Sequence, residues 1–314
     1  LEFKNGALNY NMNWYYGPAK YEILNDYDKN LDEILPLGWG IFGWINRYIF
    51  IPVFGFISAL GIGYGIAIVL FTILVRIVMS PVTYKSYLSQ AKMKVLRPEI
   101  TELNEKFKDN PMKKQQETMK LYSKAGVNPM AGCLPALMQM PIFYALFQFF
   151  PSMFDLRQKS FLWADDLSSY DSIYQLPFHI PFYGSHVSLF PILASIAIFF
   201  YMKMTTGDQA MSTPPQEGMP DMGKIMKIMI YISPVMMLFF FNNYASGLSL
   251  YYFISNLITI GIMLVIKNYI VKEDKIHAQI QENKTKEKKE SKFQKKMREM
   301  MEQAEAQKAA QKKK

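Results

Sequence analysis

The chain has 314 residues, of which 50% are hydrophobic and 19% charged, with a net charge of +9. Abundant Leu, Ile, Val and Phe exclude wholesale disorder, and the gathering of the apolar residues into long blocks with the charges between them excludes an ordinary soluble globule. A single cysteine, Cys133, excludes an intrachain disulfide and a cysteine-based zinc site, and the three scattered histidines, His179, His186 and His277, offer no ligand spacing. The first residue is Leu1 and no charged stretch with a short apolar core follows it, so a natural start upstream is expected.

In chain order, residues 37–58 are apolar but crowd Trp39, Trp44 and Tyr48 with Asn46 and Arg47, and Pro52 and Gly55 interrupt them. Aromatic rings with a polar tip favour the headgroup level, so this stretch is expected as an amphipathic helix lying in the outer interface; a sixth span is the rival reading. Five blocks, 59–83, 129–150, 187–204, 225–244 and 247–267, are each long and apolar enough to cross a bilayer, which takes about 17–25 residues. Between the first two lies 84–128, with Leu88, Leu96, Ile100, Leu103 and Phe107 at near-helical spacing, a breaker at Asp109-Asn110-Pro111, and a second stripe of Met112, Met119 and Tyr122. The pattern predicts an antiparallel helical hairpin, with Pro98 kinking its first arm. It serves either as a rigid connector or as a docking surface. Residues 151–186 and 205–224 are expected as loops, and 268–314 as a solvated helix or disordered tail rich in Lys, Glu and Gln.

Charge orients the spans. Residues 85–124 carry a net +5 and 267–314 a net +7, whereas 1–58 and 151–190 each carry −2 and 203–227 is neutral. Lys and Arg excess marks cytoplasmic loops, so the hairpin and the tail belong inside, the N-terminus of this chain outside, with five crossings between. The fold class expected is an all-α membrane protein.

Arg76 is the most informative residue. An arginine within a span costs about 2.5–3.5 kcal/mol on insertion scales. None of the five spans holds an Asp or Glu that would neutralise it. Neutral polar groups sit at similar depth: Thr72 one turn away, Gln139, Ser195, Ser233, Asn256 and Thr259. For any one Ser or Thr, back-bonding within its own helix is the simpler account. Arg76 with Gln139 and Asn256 points to a wet, positively charged pocket open at the cytoplasmic half, because each of these groups is costly in lipid. The outer half offers little beyond Asn242 and Asn243. No catalytic triad, acidic proton relay or phosphate loop is in place: Gly61-Ile62-Gly63-Tyr64-Gly65 lies inside a span without the lysine, and its glycines suit close helix packing. Catalysis and a bound cofactor are not expected. These residues leave open a solute channel or transporter and an assembly scaffold.

Several stretches together resemble the YidC-type membrane protein insertases of the Oxa superfamily. They are Val75-Arg76-Ile77-Val78-Met79-Ser80-Pro81, Ala91-Lys92-Met93 with Leu96-Arg97-Pro98, Val127-Asn128-Pro129 before Gly132-Cys133-Leu134-Pro135, Gln139-Met140-Pro141-Ile142-Phe143, and Ser246-Gly247-Leu248 followed by Leu250-Tyr251-Tyr252 and Ser255-Asn256. The resemblance implies five spans around a hydrophilic groove open to the cytoplasm, with a cytoplasmic helical hairpin. It implies a groove holding Arg76, with substrate contacts at Thr72, Pro141, Phe143, Phe240 and Tyr252, along which nascent membrane proteins slide; Gln139 and Asn256 join the expected groove lining by their depth. It further implies an inner-membrane location and partners in the ribosome, targeting factors, the general secretory translocon and membrane lipids. Tyr16-Gly17-Pro18 resembles the end of a periplasmic domain, so 1–36 is expected as its remnant. The chain departs from some relatives at Met202, Asn243 and Ala245, so the groove lining is no copy.

Overall fold

The computed structural model describes residues 13–108, 111–128, 131, 134–210, 222–270 and 273–285. Residues 1–12 of the expected remnant, 129–130 and 132–133 at the start of the second span, most of the 205–224 loop and the tail beyond 285 lie outside the described residues.

A short helix α1, Tyr21–Asp26, precedes α2, Ile41–Ile45, which runs through a π-helical turn, Asn46–Phe50, into α3, Ile51–Ser58. The long α4 spans Tyr64–Val95. It is followed by α5, Arg97–Lys106, α6, Pro111–Ala125, and α7, Leu134–Ser152. A two-stranded antiparallel hairpin of β1, Ser172–Ile180, and β2, Gly184–Ser188, then leads into α8, Leu189–Ala210. The chain closes with α9, Met222–Phe241, α10, Ser246–Val265 with a π-helical extension Ile266–Ile270, and α11, Glu273–Thr285.

Helices α4, α7, α8, α9 and α10 pack on one another; the β-hairpin and its loop hold the starts of α8 and α10, which is the β end, and α5 and α6 follow the far end of α4. Among the described residues, three helical stretches are long and apolar enough to cross a membrane, Ile41–Ser58, Tyr64–Val95 and Ser246–Tyr269; Leu189–Thr205 and Lys227–Phe241 are shorter apolar helices. The central element is α10. It packs on α4 and α8, and α8 packs on α9. Every residue from Ser246 to Tyr252 is buried, as are Ser255, Asn256, Thr259 and Met263. The first two turns of α10 are buried on every side and carry only Ser, Gly, Leu and Tyr, whereas Leu257, Leu264 and Val265 further along are exposed.

At the β end, α2–α3 is pinned by aromatic packing. Phe71 of α4 stacks on Phe149 of α7 at 5.9 Å, and Phe50 and Phe54 meet both rings edge-on at 5.3–6.0 Å. Edge-to-face pairs add about 0.5–1.5 kcal/mol each beyond the area they bury. Asn46, fully buried, donates from Nδ2 to the carbonyls of Leu37 (2.7 Å) and Ala145 (2.9 Å). Helix α2–α3 lies across α4 and α7: Phe42 lies 4.6 Å from Tyr144, midway along α7, and Phe54 lies 6.5 Å from Tyr64 at the start of α4.

The structure adds three features to the sequence reading. The 151–186 loop is largely ordered by its own hydrogen bonds, and its second half is the β-hairpin, so the fold is not purely α. Pro98 does not kink a helix: α4 stops at Val95, and Pro98 occupies the first turn of α5, where its missing N–H leaves no hydrogen bond unmade. Gly65 does not serve helix packing. A Cβ there would sit 2.0 Å from the ring of Phe161 in the loop, and Gly61 instead takes a positive φ of 73°.

Candidate functional site

The site is built where α4, α7, α8 and α10 converge. Arg76 is half-buried, and its Nε donates to the Ser255 hydroxyl of α10. Among the described residues no carboxylate pairs with it. Its charge also acts on the hydroxyls of Tyr251 and Tyr252 one turn before Ser255, and on Tyr201 of α8. One cation thus faces three phenols and a serine, and α10 supplies three of these four groups.

Buried polar atoms with no hydrogen-bond partner among the described residues occur on the same helices: Gln139 Nε2, Asn256 Nδ2, the hydroxyls of Tyr251 and Tyr252, and Oγ of Ser195 and Ser249. Gln139 approaches the Tyr252 hydroxyl without reaching hydrogen-bond geometry. A buried polar group left unpaired costs about 1–3 kcal/mol, so Gln139, Tyr251 and Tyr252, the three that share the Arg76 neighbourhood, call for water or a polar ligand between them.

Other candidates are satisfied locally. Thr72 is fully buried and donates to the Ile68 carbonyl at 2.7 Å, and Thr259 donates to the Ser255 carbonyl at 2.7 Å. Both back-bond within their helices. Thr259 thereby engages the backbone of the very residue that holds Arg76.

An aromatic wall adjoins the polar cluster. Tyr252 lies 5.5 Å from Phe143 and 5.3 Å from Phe241; Phe147 stacks on Phe240 at 5.6 Å and lies 4.4 Å from Tyr244. Phe143, Phe240 and Tyr252, expected together on α7, α9 and α10, are therefore linked ring to ring through Phe147 and Phe241. Phe240 is 47% exposed, so the wall has one open face. Pro141 falls inside α7, two residues beyond Gln139. Its ring removes an N–H and frees the Leu137 carbonyl from the helix ladder.

The β end is closed. Asn242 is fully buried; its Oδ1 accepts from the Ser188 N–H (3.0 Å) and its Nδ2 donates to the carbonyls of Tyr183 (2.8 Å) and His186 (2.9 Å). Asn243 donates to the Tyr183 carbonyl at 2.9 Å. Loop carbonyls of Ser169 and Leu167 accept the first N–H groups of α10, at Ser246 (2.6 Å) and Gly247 (3.0 Å). Asp171 Oδ2 accepts from Trp163 Nε1 (2.9 Å) and from the N–H groups of Leu189 (2.9 Å) and Phe190 (2.8 Å), capping α8. The polar groups at this end hold the hairpin and loop onto the helices.

Sequence reasoning passed over Ser255, Tyr251 and Tyr201. The available signal was the i, i+4 spacing of Tyr251, Ser255 and Thr259, which puts three hydroxyls on one face of α10.

The model of the family described as 60Kd inner membrane protein matches residues 55–275. The chain belongs to the 60Kd inner membrane protein family. The match runs from within α3 into α11, so Arg76, its partners and α5–α6 all lie in the family region. Among curated relatives, the "Membrane protein insertase YidC" of Parabacteroides distasonis is 48% identical over 290 residues, covering 88% of this chain and 44% of that protein. That of Porphyromonas gingivalis is 43% identical over 317 residues, covering 96% and 49%. The chain thus spans less than half the length of these relatives. A solved structure described as "Active YidC insertase crystal structure with the first transmembrane domain resolved" is 28% identical, with a TM-score of 0.47 over 79% of this chain and 53% of that one.

Proposed function

We propose that the chain works as a membrane protein insertase and chaperone in the bacterial inner membrane, receiving nascent membrane proteins in a groove around Arg76. The observation that carries this reading is the Arg76 site itself: a cation bonded to Ser255, without a carboxylate partner among the described residues, amid buried polar atoms that lack partners. Such a site lowers the desolvation of a polar substrate tail and attracts an acidic one. The neighbouring wall of Phe143, Phe240 and Tyr252 suits the hydrophobic segment that follows. Membrane potential, about 2.3 kcal/mol per charge per 100 mV, draws an acidic tail outward, and the apolar segment gains roughly 25 cal/mol per Å² on leaving water for lipid. The relatives' names agree with this reading.

In this reading α4, α7, α8, α9 and α10 are the five spans, the β-hairpin end is periplasmic, and α5, α6 and α11 are cytoplasmic. The Lys and Arg excess of 85–124 and 267–314 supports that orientation. Helix α2–α3 lies in the outer interface, a reading supported by the exposed rings of Trp39, Trp44 and Tyr48 just before and along it, which suit the headgroup level. The helical hairpin and the tail face the ribosome and targeting factors, and the translocon and lipids flank the groove.

Site-specific photocrosslinking to a stalled nascent single-span protein tests the path. Probes at Phe143 and Tyr252 are expected to crosslink, and a probe at the exposed Phe200 of α8 is not. Absence of crosslinks at both groove probes, with folded protein and bound ribosomes, rejects the insertase path.

A further inference from the structure

The first part of the tail is a docked helix. Along α11, Ile276, Ile280 and Lys284 recur every four residues and so share one face. Ile276 and Ile280 are buried in a cluster with Leu96, Ile100, Ala125 and Val127, where α4 passes into α5 and α6 ends. Lys284 Nζ reaches both carboxylate oxygens of Glu99, at 2.6 and 2.8 Å. Asn283 Nδ2 donates to the Ala125 carbonyl at 3.3 Å, satisfying one of the carbonyls left open at the end of α6.

The chain thereby makes a closed circuit. Arg76 and Ser255 join α4 to α10 at the groove. Leu96, at the far end of α4, lies 20 residues or about 30 Å beyond Arg76 along the helix axis. The π-helical end of α10 runs to Ile270, 15 residues past Ser255, and α11 begins at Glu273. The two helices that meet at Arg76 are thus joined a second time at the hairpin, by an apolar seam and an ion pair. A hydrogen bond is gone by about 3.6 Å, so a small swing of either long arm breaks the contact at Arg76.

We propose that α11 is a positioning element for the groove. Docked on Leu96, Ile100 and Glu99, it holds α4 and α10 at the spacing that lets Arg76 reach Ser255; undocked, it lets the arms part and the groove widen. Ile276, Ile280, Lys284 and Glu99 act through Arg76 and touch no substrate. This rests on the reading of the Arg76 site as a groove and adds the element that sets its width.

The test uses the full chain in liposomes with Cys133→Ser and a reporter Gln139→Cys, alkylated by a water-soluble maleimide. Hydrogen exchange of the α11 amides reports docking in the same samples. Glu99→Lys and Lys284→Glu each set like charges together, the combined exchange restores opposite charges, and Ile276→Ser with Ile280→Ser removes the seam outright. The expected result is lost α11 protection with about threefold or faster alkylation in each single charge variant and in the isoleucine pair, and recovery of both in the charge exchange. Lost protection with an unchanged alkylation rate overturns the coupling. Retained protection in the isoleucine pair overturns the docking seam. Neither readout requires insertion, so failure of the nascent-chain crosslinks rejects the insertase reading while these rates still decide the role of α11.

Discussion

Arg76 illustrates how one residue carries more information than the apolar sequence around it. Its insertion cost of about 2.5–3.5 kcal/mol requires a compensating contact. The structure supplies Ser255 and a field shared with Tyr201, Tyr251 and Tyr252. Arg76→Lys keeps the charge but loses the planar donor fork, whereas Arg76→Glu reverses the charge. Insertion of a substrate with an acidic tail is expected to fall in the order wild type, Arg76→Lys, Arg76→Ala, Arg76→Glu, with up to about tenfold lost at Ala, the equivalent of about 1.4 kcal/mol. A neutral-tailed substrate is expected to change less. Quantifying protease-protected product for both substrates checks this, and equal losses for the two tails would show that the charge does not act on the tail.

Asp171 offers a pH readout outside the helices. Burial pushes its carboxyl above the usual value of 3.8, against the opposing pull of the hydrogen bonds from Phe190, Trp163 and Leu189. Those donors all use Oδ2, while Oδ1 is buried with no partner among the described residues and is free to hold a proton. The native state then binds the proton more tightly than the unfolded chain. Its stabilising contribution is complete below about 3.8 and is lost as pH rises through the raised native value. Asp171→Asn keeps an acceptor oxygen and removes this dependence, so its melting temperature should be flatter with pH than that of wild type. Asp171→Ala strands the three donors and should cost about 1–3 kcal/mol. Melts of purified protein between pH 4 and 8 distinguish the two.

At the scale of elements, close approach and ring packing decide how the loop and α2–α3 attach. Gly65 admits the Phe161 ring, so Gly65→Ala forces the loop off α4. A lower melting temperature is expected, with partial rescue when Phe161→Ala is added; lack of rescue would place the strain elsewhere. Phe54 is fully buried among Phe71, Phe149 and Tyr64. Phe54→Ala should cost about 3–5 kcal/mol, the range for a buried ring removed from a packed site, and should release α2–α3 to faster hydrogen exchange. Sequence pattern revealed the helical segments but not these attachments. Leu96 and Ile100 were legible as a stripe, yet nothing local showed that Ile276 and Ile280 would complete their cluster. Nor did the polar loop after α7 announce a hairpin, because β1 is mostly exposed and so lacks the alternation of a half-buried strand.

For the whole molecule, the Lys and Arg excess of 85–124 and 267–314 predicts one orientation. A cysteine at Phe182, in the β-hairpin turn, should react with a membrane-impermeant maleimide added outside intact spheroplasts. One at Lys120, on α6, should react only after the membrane is opened. Labelling of both from outside would refute the five-pass arrangement.

The sequence alone determined the order of the apolar segments, the gathering of basic charge in 85–124 and 267–314, and the isolation of Arg76 among segments without Asp or Glu. These follow from hydropathy, length and net charge, which are local sums. Tertiary structure alone decided that Ser255 meets Arg76 across 179 residues, that Thr72 turns back on its own helix, that Asn242 ties the β-hairpin to α9, and that α11 folds against α5 and α6. Apart from the Thr72 bond, which is local to α4 and agrees with the back-bonding expected of a lone Thr, such pairings depend on which faces of distant helices oppose each other. That is fixed by the packing of the whole bundle and leaves no mark in the spacing along any one segment.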